Sequence, residues 1–339
     1  MNILGFSLPK LVEIFEQNGF SKLDAKRVFP WLHVKLAETF DEMSDVPQKV
    51  RQELKEKFSI SVGQCEILQK SSDGTQKALL KLEDGNLIET VFIPEEKRNT
   101  ICVSSQVGCA MGCKFCHTGT QGFIRNLSAG EIMSQVIFWK RKFPISNIVF
   151  MGMGEPLLNY ENLSAALELL LAEKVHNFSR TKITFSTCGI LEGQLQQLAK
   201  FGVKLAVSLH APNDDIRSQL MPINRKYNIA VLLPILKEYK KSSNTEYITF
   251  EYLLLKDVND SAECAEELAK VLKNFPAKVN LIPYNDWPDS KFHRSTQESI
   301  DKFFSILFKH KIRVTTRKAR GTDILAACGQ LKSESKRKD

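Results

Sequence analysis

Between residues 8 and 58 apolar side chains return at helical spacing. Leu11, Ile14 and Phe15 share one stripe, Val50 and Leu54 another, and Pro30 and Pro47 are expected to break the run. The pattern predicts a small helical domain over residues 1–60. From about residue 60 the period shortens. KALLKLEDGNLIETVFIP places two apolar runs around Asp84–Gly85, a dipeptide suited to tight β-turns, and predicts a β-hairpin linker over 61–94. Beyond it, β-branched apolar runs at 101–104, 147–151, 182–187, 203–209, 247–254, 278–282 and 312–316 alternate with helical stretches such as SAGEIMSQVIFWKRK and AECAEELAKVLKNF. Ser128 and Glu131 stand in capping-box register at the start of the first of these. Repeated β–α units over 95–330 predict an α/β fold with a parallel sheet, open or curled into a partial barrel, and a site at the carboxyl ends of its strands. GMGEP, STCG, SLHAPND and IPYND fall at those ends. Residues 331–339 read as a basic tail.

Composition changes the picture little. The chain has 339 residues, 43% hydrophobic and 25% charged, which is ordinary globular usage with material for a large core. Net charge is +8, from 47 Lys and Arg against 39 Asp and Glu. Lys140-Arg141-Lys142, Arg317-Lys318 with Arg320, and Lys336-Arg337-Lys338 would attract a polyanion such as RNA, although the same clusters suit a solvated surface and tail. The start, MNILGFSLPKLVEIFEQ, carries Glu13 and Glu16 inside its apolar run, against a signal or transit peptide. No stretch reaches the roughly eighteen uncharged apolar residues of a membrane span. A soluble cytoplasmic protein is expected. In that compartment thiols stay reduced, so a tight cysteine cluster points to metal binding or chemistry.

Such a cluster lies in ICVSSQVGCAMGCKFCHTGT, which holds Cys102, Cys109, Cys113 and Cys116. The last three are spaced C-x3-C-x2-C in a glycine-containing loop after a strand, so three thiolates can face one region. A structural zinc site takes four ligands, and His117 or Cys102 would have to complete it. A four-iron cluster usually takes four cysteines; three leave one iron open for a substrate or cofactor.

C-x3-C-x-aromatic-C resembles the signature of radical S-adenosylmethionine (SAM) enzymes. CVSSQVGC, GFIRNLSAGEI, MGMGEPLLN, SLHAPND, MPIN, LIPYN and AACGQL follow in order over nearly the whole chain. Together they resemble the RNA adenine methyltransferases of the RlmN/Cfr group, with MGMGEPLLN and the SSDG at 71–74 closer to its RlmN branch. The resemblance implies a partial (β/α)6-type radical SAM barrel. It implies a [4Fe–4S] cluster held by Cys109, Cys113 and Cys116, with SAM on the fourth iron. It further implies that Cys328 carries a methyl group taken from a first SAM, that a second SAM yields the radical that activates it, and that Cys102 resolves the enzyme–RNA adduct as a disulfide with Cys328. Glu89 resembles the family's active-site acid or base. Gly154, Glu155, Ser186, Ser208, His210 and Asn285 resemble its SAM contacts. The implied substrates are 23S rRNA, at an adenosine of the peptidyl-transferase loop, and tRNA, at the adenosine 3′ of the anticodon. A flavodoxin-like electron donor and a monomer follow in the same way.

Without the resemblance, Cys328 among its alanines and Cys102 on its strand read as small core residues, and Glu89 as a solvated residue on the polar side of a strand. Gly154 and Pro156 suit a strand-to-helix turn, and the serines, His210 and Asn285 suit ordinary loop roles. Cys65, Cys188 and Cys264 match no role, and a buried structural place is expected for each. Methylation at carbon 8 of adenosine, and a zinc-stabilised RNA-binding module, are the competing functions.

Overall fold

The structure, a computed structural model, describes residues 1–189, 193–243 and 245–333; the basic Lys336-Arg337-Lys338 cluster lies outside them. Helices α1 (Leu8–Gln17), α2 (Lys22–His33) and α3 (Gln48–Lys57) form the expected N-terminal unit. Ser21 and Asp24 close a reciprocal capping box on α2. Pro30, expected to break this run, lies inside α2. It sits in the last turn, where the missing N–H costs a single bond, and its carbonyl accepts the N–H groups of Val34 and Lys35 that close the helix. Pro47 directly precedes α3. The rings of Phe15, Phe20 and Phe58 pack at 5.2, 5.4 and 6.1 Å to form the local core.

Strands β1 (Gln64–Lys70), β2 (Gln76–Lys81) and β3 (Leu87–Glu95) follow as an antiparallel meander. The expected Asp84–Gly85 turn joins β2 to β3, with Gly85 at φ +85°, a conformation glycine adopts without strain. The hairpin is continuous with the main sheet, because β3 pairs antiparallel with β4 (Arg98–Cys102). A separate ribbon, β5 (Gln106–Gly108) and β6 (Phe123–Asn126), brackets the short helix α4 (His117–Gln121). Then come α5 (Ala129–Lys140), β7 (Asn147–Phe150), α6 (Tyr160–Leu171), β8 (Ile183–Thr187), α7 (Gln194–Ala199), β9 (Lys204–Ser208), α8 (Asp214–Leu220), α9 (Ile229–Ser243), β10 (Ile248–Leu254), α10 (Ala262–Val271), β11 (Ala277–Pro283), α11 (Gln297–Lys309) and β12 (Arg313–Thr316). The ten-stranded sheet runs β1-β2-β3-β4-β7-β8-β9-β10-β11-β12, all parallel from β4 onward. Its outer edges, β1 and β12, do not pair with each other, so the curled sheet is the expected partial barrel; β12, the strand expected at 312–316, extends it by one parallel strand beyond six.

Residue alternation on these strands explains the barrel. Ile101, Ile148, Phe150, Ile183, Phe185, Phe250, Val279 and Leu281 are fully buried beneath the helices. Their neighbours Thr100, Asn147, Thr184, Thr249 and Asn280 are half-exposed because they line a hollow interior of about 810 Å³. The outside of the sheet is therefore the dry core, and the lumen is polar. Helix α5 ties the N-terminal unit to this core: the Gly5 backbone packs against Gly130, and the Arg141 guanidinium donates to the Leu36 and Ala37 carbonyls at 3.1 and 2.6 Å. Among the described residues no helix is long and apolar enough to cross a membrane.

At the start of α5 the Ser128 hydroxyl accepts from the Glu131 N–H (3.2 Å) while the Glu131 carboxylate accepts from the Ser128 N–H (2.8 Å), as the capping box predicts. Replacing Ser128 with Ala is expected to lower unfolding free energy by about 1 kcal/mol. The shift in urea midpoint at unchanged slope checks this.

Candidate active site

The three-cysteine loop leaves β5 at Gly108, whose φ of +73° and approach to the Gly122 carbonyl leave no room for a side chain. Its backbone is cross-braced by hydrogen bonds from Cys109 N–H to Gly122 O (2.9 Å), Cys116 N–H to Cys113 O (3.2 Å) and Gly119 N–H to Cys116 O (3.0 Å). Burial pushes the Cys109 thiol up to about 12, with Cys116 and Glu155 adding to it. Burial likewise raises Cys113 far above the usual thiol range, with Cys116 and Cys109 next in effect, and raises Cys116. Three thiols close enough to oppose one another's ionisation cannot all be thiolates unless a positive group sits among them. The donor set thus fits an iron–sulfur cluster, where each sulfur bonds a different iron. Zinc fits less well: among the described residues no three Cys, His, Asp or Glu side chains converge on one ion position. His117, a candidate fourth ligand, stacks its ring on Trp287 (4.5 Å, 7°) and places Nδ1 3.2 Å from the Gln330 carbonyl, turned toward the C-terminal segment.

The remaining expected residues surround this loop at the carboxyl ends of the strands. Gly154, at φ +101°, lies flat against Gln106, where a Cβ would meet that side chain at 2.6 Å. Glu155 is buried; its carboxylate accepts from Leu157 N–H (3.1 Å) and Cys188 N–H (2.8 Å), and burial raises its pKa. Ser186 and Ser208 end β8 and β9, both half-exposed. His210 accepts at Nδ1 from Leu253 N–H (3.0 Å), and its ring meets the edge of Phe115 at 4.8 Å, which explains the aromatic before the last cysteine. Burial pulls His210 down to about 3, so it is neutral with its proton on Nε2. Asn285 is buried, lines the cavity, and its Oδ1 has no hydrogen-bond partner among the described residues.

Cys328 lies in a C-terminal strap, residues 321–333, fastened along its length. Asp323 accepts from Ser71 Oγ (2.6 Å) and Ser72 N–H (3.1 Å), and Asp73 accepts from Gly321 N–H (3.0 Å). Further along, His117 N–H donates to Gly329 O (2.7 Å), Thr118 Oγ1 to Leu331 O (2.5 Å), and Gln330 Nε2 to Asp286 O (2.5 Å). The strap therefore bridges the SSDG turn and the three-cysteine loop. Glu89, expected on a polar strand face, is 5% exposed and sits under the strap. It pairs with Lys77 Nζ at 2.8 Å and accepts from Lys332 N–H at 2.8 Å, while Lys77 also donates to Leu325 O. Burial raises the Glu89 pKa, and Lys77 opposes the rise.

Cys102 and Cys328 both line the 810 Å³ lumen and both thiols are free. Burial pushes Cys102 up to about 12, and Cys328 adds to the shift. The Trp139 indole donates to Thr90 Oγ1 (3.1 Å), which donates to the Cys102 carbonyl (2.8 Å), fixing the end of β4. Of the unassigned cysteines, Cys188 is buried as expected, whereas Cys264 is half-buried and Cys65 is exposed on β1, a strand outside the core on both faces.

Sequence reasoning missed Lys77 and Arg217, and read Arg317 as part of a polyanion-attracting cluster, whereas it lines the lumen. Arg217 is 0% exposed and donates to the carbonyls of Leu209, Tyr227, Cys188 and Ser208 and to Asn224 Oδ1, gathering the ends of β8 and β9; Asn224 lies in the quoted MPIN, the one clue available. Arg317 lines the lumen near Cys328, Glu251 and Cys102, and these neighbours, Cys328 foremost, raise its pKa against the effect of burial.

Residues 103–272 match the Radical SAM superfamily, and residues 1–60 match the ribosomal RNA large subunit methyltransferase N-terminal domain. The dual-specificity RNA methyltransferase RlmN of Francisella tularensis subsp. mediasiatica is 44% identical over 98% of this chain and 92% of its own. That of Geotalea uraniireducens is 45% identical over 98% and 96%. The crystal structure of a radical SAM methyltransferase from Sphaerobacter thermophilus superposes with a TM-score of 0.92 at 41% identity, covering 97% of this chain and 98% of that one.

Glu251 is buried in the lumen wall, accepts from Asn280 Nδ2 at 2.8 Å, and has its pKa raised by burial, with Arg317 opposing. A carboxyl raised in the folded state binds its proton more tightly there than when unfolded. Its contribution to stability therefore falls as pH rises from the ordinary carboxylate range through the folded value. Glu251→Gln keeps an acceptor for Asn280 and removes this loss. Urea unfolding is expected to show the variant gaining on the native protein from pH 4.5 to neutrality.

Proposed function

Because this chain belongs to the radical SAM superfamily and, within it, to the RlmN family of dual-specificity RNA methyltransferases, we propose that it methylates carbon 2 of adenosine in 23S rRNA and tRNA, with Cys328 as the methyl carrier and two SAM consumed per turnover. The observation that carries this reading is the strap: it brings a free thiol, Cys328, over the three-cysteine loop and into the same cavity as a second free thiol, Cys102.

Carbon 2 of adenine lies between two ring nitrogens and has no lone pair to attack the methyl of SAM, so direct polar transfer fails. Cys109, Cys113 and Cys116 would hold a [4Fe–4S] cluster with one iron left for the amino and carboxylate groups of SAM. What such a cluster supplies when bound is a low-potential electron for reductive cleavage of SAM. Glu155 offers a carboxylate toward the SAM ammonium, with Gly154 letting the backbone approach closely. Neutral His210 offers Nε2–H, and Asn285 an unpartnered Oδ1; Ser186 and Ser208 complete the surround.

Cys328 first accepts a methyl from SAM as the attacking nucleophile, in the cavity that Arg317 also lines. After hydrogen removal from this methyl, the carbon adds to the base and joins enzyme to RNA. Glu89, a buried carboxyl whose pKa is raised by burial, serves as the nearby acid or base, held in place by Lys77. Cys102 then attacks the Cys328 sulfur as a thiolate, forming the disulfide; the electron pair of the broken carbon–sulfur bond passes to the modified base, whose methylene takes up a proton to become the methyl group. The base must be splayed from its stack for any of this, and the N-terminal helices supply the RNA-binding surface; of Lys140-Arg141-Lys142, Lys140 and Arg141 are engaged with His176 and with the Leu36 and Ala37 carbonyls, and Lys142 is exposed. A flavodoxin-like cytoplasmic donor and action as a monomer belong to the same reading.

The test is nucleoside analysis of ribosomal and transfer RNA after incubation with the iron-reconstituted protein, SAM and a reductant. 2-Methyladenosine is the expected product; 8-methyladenosine, or none, contradicts the reading. Cys328→Ala is expected to lower methyl transfer by roughly a thousandfold or more while iron content stays unchanged. Cys102→Ala is expected to accumulate a protein–RNA adduct visible on denaturing gels.

A further inference from the structure

The lumen that contains Cys102 and Cys328 does not stop at those thiols. It continues past Thr100, Thr184, Thr249 and Asn280 to the amino-terminal ends of the strands, where Arg98, Lys204 and Lys278 line it. This is the end of the barrel opposite the three-cysteine loop. Cations converge there: the Lys204 ammonium is pushed below its usual range by burial first and then by Lys182, Lys278 and Arg98. The nearby acids are engaged, Glu95 with Arg98 (2.7 Å) and Glu246 with Arg313 (2.6 Å), while among the described residues Lys204 and Lys278 form no ion pair. With Glu95 and Glu246 paired and Glu251, deeper in the lumen, the acid that feels Lys278, the mouth keeps an excess of positive charge that draws a passing anion.

A need exists at the far end of this path. On the reading of Cys102 and Cys328 given above, each turnover leaves a disulfide inside the barrel. Across its carboxyl-end face lies the strap, fastened to the SSDG turn and the three-cysteine loop. We propose that the amino-terminal mouth of the barrel is a second port, through which a small anionic thiol reaches and reduces the Cys102–Cys328 disulfide. The lumen volume, about 810 Å³, suits a molecule of this size and excludes a folded reductase. The chemistry balances. One thiolate attacks a sulfur of the pair, forms a mixed disulfide and releases the other cysteine as thiolate. A second thiolate attacks the mixed disulfide and frees the second cysteine. Two thiols become one disulfide and two electrons return to the protein.

The experiment uses full-length holoprotein allowed one turnover on RNA without added thiol, with the Cys102–Cys328 disulfide verified by mass spectrometry. Reduction is timed with three thiols of similar size: mercaptoethanesulfonate (anionic), 2-mercaptoethanol (neutral) and cysteamine (cationic), each rate corrected for its thiolate fraction. The anionic thiol is expected to be fastest. Lys204→Glu with Lys278→Glu is expected to slow it about tenfold and leave the neutral thiol within about twofold, which controls for folding and disulfide strain. Equal rates across the three charges, or an unchanged order in the double variant, would overturn the port. Absence of the disulfide itself would remove the port together with the carrier reading, so the two failures are distinguishable.

Discussion

The hydrogen bond from the His117 N–H to the Gly329 carbonyl, 2.7 Å long, joins the two halves of the chemistry. His117 follows the last cysteine of the loop, and Gly329 follows Cys328, the proposed carrier, so one backbone contact holds Cys328 next to the three-cysteine loop. Nothing in the local propensity of residues 321–333 holds them there; apart from a single short 3-10 turn at Thr322–Ile324 they form no regular element. The strap takes its shape from partners distant in sequence: the SSDG turn at 71–74, the loop at 117–121, and the buried Lys77–Glu89 pair.

That ion pair is not a stability device. Taking an ammonium and a carboxylate out of water costs several kcal/mol each before their attraction is counted. Glu89 retains a raised pKa even with Lys77 at 2.8 Å. What the pair does is place a buried carboxyl beneath the C-terminal strap while its ammonium also grips the Leu325 carbonyl. The lumen follows the same logic: a hollow polar interior gives up core volume, and the missing apolar burial is recovered on the outer face of the sheet, where Ile148, Phe150, Phe185 and Phe250 are fully covered.

The fold was largely legible because its signals are periodic. Strand alternation, helical stripes, the Ser128–Glu131 cap and the Asp84–Gly85 turn are all local, and each appears where the pattern puts it. Pro30 was misread because a proline in the final turn costs one bond and not a helix. The cysteine loop was legible from spacing, while the carrier, resolving and acid roles proposed for Cys328, Cys102 and Glu89 rest on resemblance: by composition Cys328 among alanines and Glu89 in an alternating strand look ordinary. The burial of Glu89 was not legible, since the strap that covers it lies more than two hundred residues away in sequence. Lys77, Arg217 and the lumen place of Arg317 escaped for the same reason. Their partners are carbonyls, thiols and carboxylates assembled only by the tertiary fold.

The central claim is that a cysteine carries the methyl group between SAM and RNA. It is tested most directly by incubating the reduced holoprotein with SAM labelled at the methyl carbon, before any RNA is added, and examining the peptide that contains Cys328. The account predicts one labelled methyl on that sulfur, which is then passed to RNA by the washed protein. An unmodified Cys328 peptide from a protein that nonetheless methylates RNA would contradict it.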